Sequence, residues 1–384
     1  MRIGIDAHIL GKGKGGVERV VHQMVRLLPE FLPEDNFTIF INRRYQPPFG
    51  ARARVRYRRL PVADPLLQRS VILPWLARRE KLDLLHVQRA APPGLRARLV
   101  VHVHDLLPLT APQDHRGFRD GVVRRLTPQS LRRADRVLTV SESVAAEIRH
   151  RFPSAARKVA AIPNGIEAEL FQPKPAGAPR AAIHARLGLE GAYVLYLGAL
   201  MARKNLEVAI RGFGQFLDQL AASDSPERPR LVLAGMSRSD DYVAGLRALA
   251  EQAAPGAVRF TGFIHDEECV ALLQHAEAFL APSRGEGFDL PALEAMACAI
   301  PVLTSDIPVH RELLGYDALF FPPDRPERLA GELHRLMTHP DLRAQLARRG
   351  TTRAARFTWE DAMQRMGGLY REILSGPPAA VSAS

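Results

Sequence analysis

Two cysteines in 384 residues, Cys269 and Cys298, give the chain neither a disulfide framework nor a cysteine-based metal site. Long apolar runs are missing too, and nothing approaches the roughly 20 consecutive residues that span a bilayer. The opening Met1-Arg2-Ile3-Gly4-Ile5-Asp6 reads as a strand and not as a secretion signal. Aromatic residues are only 7% of the chain. They are not interleaved with the basic ones in the pattern that single-stranded nucleic-acid binders use for base stacking. The glycine loop near the N-terminus lacks the Gly-Lys-Ser/Thr ending of a P-loop, and no Asp-x-Asp metal motif stands in a suitable place. These absences predict a protein of the cytoplasm, or of the cytosolic face of a membrane, that works without metal or other cofactor.

What is present is an ordinary globular composition, 46% hydrophobic and 24% charged, in a chain long enough for two domains. The formal charge of +12 is unevenly spread. Residues 1–175 hold 31 basic and 16 acidic side chains, a net of +15, and the remainder holds 22 and 25. An arginine-rich composition accounts for the choice of Arg over Lys but not for this asymmetry. Nucleic acid, an anionic membrane surface or an anionic sugar or lipid substrate would each account for it.

Strand and helix patterns alternate through the chain in two series, which predicts two doubly wound α/β domains. The Pro/Gly-rich stretch 171–180 marks the boundary, giving domains over 1–172 and 173–357, with a last helix near 358–375 that crosses back to the first. The segment 277–304 organises the second domain. Ala278–Ala281 is an apolar strand, Pro282–Gly287 a polar turn, and Asp289 a cap for a helix started by Pro291; Val302–Thr304 is the next strand. Glu286 in the turn and Glu294 in the helix lie a little over two helical turns apart. Carboxylates there suit paired sugar hydroxyls, and the helix N-terminus suits a phosphate. Spacing alone serves two solvated charges equally well.

The wording Ser-Arg-Gly-Glu-Gly-Phe-Asp-Leu-Pro-Ala-Leu-Glu-Ala-Met-Ala resembles the GT4 family of retaining glycosyltransferases, flanking residues included. The resemblance implies the GT-B fold, two Rossmann-like domains facing across a cleft. It implies that Glu286 contacts the donor sugar and Glu294 the ribose, within a donor segment that also takes in Gly287, Phe288, Asp289 and Leu290. Gly15-Gly16-Val17-Glu18-Arg19 is similar to the family's N-terminal loop, so Gly15 and Gly16 face the donor diphosphate. His104-Asp105, at the end of a strand, fits the family's His-Asp pair and gives His104 to the sugar. Pro163-Asn164-Gly165-Ile166-Glu167 resembles the family's turn before the hinge, with Glu167 in place of Asp.

Arg203-Lys204-Asn205 follows a strand and opens a helix, where cations oppose the helix dipole unless an anion joins them. Many GT4 members carry Arg directly after the glycine; Ala199 stands there, so Arg203 takes over the guanidinium and Lys204 keeps the family lysine. Gly235 and Phe263 end two strands at the edge expected to bracket the base. The resemblance therefore implies transfer of a hexose from a nucleotide diphosphate sugar, with His104, Arg203, Lys204 and Glu286 at the reacting centre. The Arg-Lys-Asn pattern looks like that of mannosyltransferases, which puts GDP-mannose ahead of a UDP-hexose. The basic first half suggests a saccharide or lipid-linked saccharide acceptor and peripheral contact with an anionic membrane. In particular, the apolar stretch 66–79 presents Leu67, Ile72 and Trp75 among arginines. The alternatives are a nucleotide-sugar 2-epimerase of the same architecture and, on charge alone, a nucleic-acid-binding protein.

Overall fold

The computed structural model describes residues 1–376 other than 14, 49–51, 62–66, 93, 111–117, 176, 178–181, 190, 223–227 and 238. The side chains of 69–70 and 118–120 also lie outside the described residues, as do the predicted tail 377–384 and parts of the predicted linker. The chain divides into two units, Met1–Gly165 with Trp359–Ser384, and Ile166–Thr358. The division falls at Gly165, ahead of the Pro/Gly-rich stretch. Ile166 bridges Thr358, and its amide donates to the Phe357 carbonyl at 3.0 Å, so residues 166–172 join the second unit.

In the first unit the order is β1 (Arg2–Asp6), α1 (Gly16–Phe31), β2 (Asn36–Ile41), β3 (Val55–Arg59), α2 (Leu73–Arg79), β4 (Leu84–Gln88), β5 (Arg98–Val103), α3 (Phe118–Arg133), β6 (Arg136–Thr139), α4 (Glu142–Arg151) and β7 (Val159–Ala161). All seven strands are parallel, in the order β3-β2-β1-β4-β5-β6-β7. The order reverses between β1 and β4, the switch point at which open α/β sheets bind ligands. Ser141 caps α4 by accepting from the Val144 amide. A final helix, Trp359–Ser375, closes this unit. Trp359, Met363, Met366, Tyr370 and Ile373 recur every three or four residues and fill one core with β1, β2 and α1. Each such side chain gains roughly 1.5–3 kcal/mol on burial, so the unit depends on this stripe.

The second unit runs α5 (Ala182–Leu187), β8 (Tyr193–Leu197), α6 (Leu206–Ala221), β9 (Arg230–Ala234), α7 (Asp240–Ala253), β10 (Val258–Gly262), α8 (Asp266–His275), β11 (Ala278–Ala281), α9 (Leu290–Ala297), β12 (Val302–Ser305), α10 (Pro308–Leu314), β13 (Leu319–Phe321), α11 (Pro326–Thr338) and α12 (Pro340–Ala354); the closing helix of the first unit is thus α13. Its six strands are parallel in the order β10-β9-β8-β11-β12-β13. The central strands β8, β11 and β12 are buried throughout, as continuous apolar runs covered on both faces must be. The switch point lies between β8 and β11. The loops at their carboxyl ends are 198–205 and 282–289.

Candidate functional site

Three backbone loops are stitched together at the carboxyl edge of the second sheet. Gly198 donates to Ala234 O at 2.9 Å, Leu200 to Met236 O at 2.8 Å and Gly235 to Gly262 O at 3.0 Å. Gly235 has φ +145°, and a Cβ there would stand 1.9 Å from the Gly198 carbonyl oxygen, so only glycine permits this approach. Beneath the turn, the Tyr196 hydroxyl donates to Ala199 O at 2.8 Å. Burial first, then the nearby Glu286 and Asp289 carboxylates, push that hydroxyl's pKa well above the usual range.

Ala202–Lys204 folds as a single 3₁₀ turn, ended by Asn205, against the 282–286 loop. Arg284 N donates to Arg203 O at 2.9 Å. Asn205, fully buried in the left-handed region at φ +57°, donates to Pro282 O at 3.0 Å and Pro323 O at 2.7 Å. It thereby ties together the loops after β8, β11 and β13. Arg203 Nη1 lies 2.9 Å and Lys204 Nζ 2.5 Å from the same oxygen, Oε1 of Glu286. The Glu286 side chain is 7% exposed. Burial alone would raise its pKa, but the two cations outweigh that and hold the carboxyl well below the usual carboxylate range. Two cations against one carboxylate leave the cluster with a positive charge in reach of an anion.

Asp289 stands just before α9 at φ +85°, but its side chain does not cap the helix. Its carboxylate instead lies 3.0 Å from Nε2 of the buried His310, whose Nδ1 lies 2.6 Å from Thr304 Oγ1 and 2.9 Å from Ser305 O. The expected capping role is therefore replaced by a clamp between α9 and the β12–α10 turn. Glu294 is buried within α9, and the buried thiol of Cys298 beside it is pushed up to about 12 by burial and then by that carboxylate. Phe288 is buried edge-on against Phe357, Leu290 is buried at the helix start, and Gly287 is buried between Glu286 and Phe288. Phe263 and Met236 stand 62% and 60% exposed at the ends of β10 and β9, open to a flat ligand. The structure thus gathers Arg203, Lys204 and Glu286 at the switch point. Tyr196 and His310 are supports that reading by motif left out, and the motif's Asn205 proves to be a support at an αL position, a place that favours Asn.

The other expected site residues belong to the first unit. Gly15, at φ +59°, faces open space before α1, which begins at Gly16, and the Gly11 amide donates to Glu18 Oε1 at 2.5 Å. His104 is buried, its Nε2 2.7 Å from Gln88 Oε1, and its ring stacks on His102 at 4.2 Å. His102 is 5.3 Å from His86, which contacts the Tyr370 hydroxyl of α13. All three imidazoles are held neutral. Burial pushes His102 down to about 3 and His86 and His104 well below the usual range, with neighbouring rings and Arg89 adding to it for His104. Asp105 pairs with Arg89 at 2.6 Å.

Solved structures share this two-unit architecture. The chain aligns over 98% of its length with 99% of a sucrose-phosphate synthase from Thermosynechococcus elongatus, at TM-score 0.75 and 22% identity. It aligns over 97% with all of HepE from Anabaena, solved with UDP and glucose, at TM-score 0.72 and 18% identity. The fold is therefore the α/β architecture of the GT-B class. Residues 14–170 match the model of Glycosyltransferase Family 4 and residues 180–353 that of Glycosyl transferases group 1. The chain belongs to this family of glycosyltransferases. Among curated relatives, O-antigen chain mannosyltransferase B of Escherichia coli is 27% identical over 298 residues, 77% of this chain and 76% of that enzyme. A D-inositol 3-phosphate glycosyltransferase of Acidothermus cellulolyticus and the mannosyltransferase WbdA of Escherichia coli are matched over 54% and 31% of their length.

Proposed function

We propose that this glycosyltransferase is a retaining hexosyltransferase that uses a nucleotide diphosphate sugar, with GDP-mannose the first choice and a UDP-hexose the second. The observation that carries the reading is the pair Arg203 and Lys204 converging on one Glu286 oxygen at the switch point. As the sugar–phosphate bond breaks, negative charge grows on the leaving diphosphate, and two preorganised cations supply the compensation without a metal ion. Glu286 holds the cations when no donor is bound and meets the sugar when one is. Glu294 takes the ribose hydroxyls, the exposed Phe263 edge takes the base, and Gly235 lets the backbone approach the ligand. In the first unit, the resemblance assigns Gly15 and Gly16 to the diphosphate and His104 to the sugar.

Mannose is favoured by the Arg-Lys-Asn pattern together with the likeness to O-antigen chain mannosyltransferase B of Escherichia coli. The acceptor is a saccharide or lipid-linked saccharide of a cell-surface glycan, taken up by the basic first unit at the cytosolic face of a membrane. Thermal unfolding with GDP-mannose, UDP-glucose, UDP-galactose or UDP-N-acetylglucosamine, with and without EDTA, tests this. A ligand that binds only the native state raises Tm by mass action. The expected result is protection by GDP-mannose, unchanged by EDTA and lost in Glu294→Ala. Protection by none of the four would overturn the donor site, and protection by a UDP-sugar alone would overturn the mannose assignment.

A further inference from the structure

Eight large apolar side chains stand exposed among the described residues, and three of them lie on the segment joining β3 to β4. A π-helical turn, Gln68–Ile72, runs directly into α2. Leu67, Val71 and Trp75 recur every four residues along it and are 43%, 53% and 52% exposed. Ile72, which the sequence places with them, is half-buried against the core, and Val71 takes its place in the outward stripe. The opposite face needs no help from these three. Leu73, Leu76 and Ala77 already pack on Phe40, Leu60, Leu85 and Val87.

The surroundings are basic. From Arg43 to Lys81 the chain holds eleven Arg and Lys against two acidic residues, Asp64 and Glu80. Arg78 and Arg79 end the helix exposed, and the Arg79 guanidinium lies 5.3 Å from the centre of the Trp75 ring. Three of the eleven, Arg56, Arg59 and the Arg58 that pairs with Glu80, stand exposed on the outermost strand, β3. A tryptophan with an apolar stripe beside arginines matches the two layers of a lipid interface, acyl boundary and phosphate.

We infer that this stripe docks the first unit on an anionic phospholipid bilayer. Leu67, Val71 and Trp75 enter the headgroup boundary, and the flanking arginines meet lipid phosphates. The inference rests on the proposed lipid-linked acceptor, which puts the reaction at a membrane. Docking is measured with no nucleotide sugar present, so the two readings fail separately.

Trp359, the other tryptophan, is only 2% exposed, so a change in emission on adding vesicles reports Trp75. Vesicles of phosphatidylcholine with about one-third phosphatidylglycerol should shift the emission to the blue and carry the protein down on centrifugation. Pure phosphatidylcholine should do neither, and about 0.5 M salt should weaken the effect. Val71→Ser with Arg79→Glu should lower the bound fraction about tenfold at unchanged Tm, whereas Tyr316→Ser, at an exposed position of the second unit, should leave it alone. Absence of sedimentation with anionic vesicles would overturn the inference. So would binding undiminished in the double variant, or a dimer in light scattering that Val71→Ser dissociates, which would assign the stripe to a second copy.

Discussion

Glu286 carries two cations on one oxygen, and removing it tests both stability and chemistry. Glu286→Gln leaves Arg203 and Lys204 facing each other with little solvent, a loss of about 3–5 kcal/mol for a buried pair broken on one side. An anion should restore part of this, so nucleoside diphosphate should raise the Tm of Glu286→Gln more than that of the wild type. Equal shifts would show that the cations do not face the diphosphate. Lys204→Ala should lower turnover of the protecting donor about 100-fold or more, since it removes charge that acts as the bond breaks. The stacked histidines give a separate prediction. In the unfolded chain their pKa lies near 6.5, and in the folded chain burial lowers all three, with neighbouring imidazoles adding to it for His86 and His104. Their contribution is complete above pH 6.5 and is lost as pH falls below it, for His102 down to about 3, by about 1.4 kcal/mol per histidine per pH unit. Both tryptophans belong to this unit, so fluorescence-detected urea midpoints should drop between pH 7.5 and 5.5, less steeply in His102→Asn. The same slope in both would show that His102 is protonated when folded.

At the level of elements, the loops matter more than the helices they join. Gly235→Ala should cost about 2–4 kcal/mol, because the new methyl must displace the Gly198 carbonyl, and it should weaken donor protection. Normal stability in that variant would show that the two loops separate freely. How readable such features are depends on their range. Apolar runs such as Ala278–Ala281 announce buried parallel strands, and the stripe from Trp359 to Ile373 announces a helix, because both patterns are local. The Glu286 loop is legible in part through its motif. Of its cation partners Lys204 is 82 residues away and Arg203 one further, and nothing in either stretch states that they share an oxygen. Asp289 reads as a cap because Asp before a proline-started helix usually is one; only the folded β12–α10 turn supplies His310 as a competing partner. His86 and His102 look like unrelated strand residues until the pairing of β4 with β5 sets them side by side. The π-helical turn Gln68–Ile72 puts Val71 in the outward stripe in place of Ile72, a shift that the 3.6-residue helical period does not announce.

For the molecule as a whole, the division of the chain is unequal in kind. The second unit is one continuous segment, Ile166–Thr358, with its own core, whereas the first needs α13 from beyond it. A fragment of residues 166–358 should therefore unfold cooperatively by itself. A chain ended at Thr358 should lose the first unit's transition, with the apolar faces of β1, β2 and α1 exposed. A native-like tryptophan signal from Trp75 in that shortened chain would contradict this. The same arrangement bears on how the protein is made. Domains ordinarily fold in the order in which they leave the ribosome. Here the first unit waits, its groove open, while some two hundred further residues are translated and the second unit folds. A chaperone that shields an apolar groove until α13 arrives would thus act on the unit synthesised first.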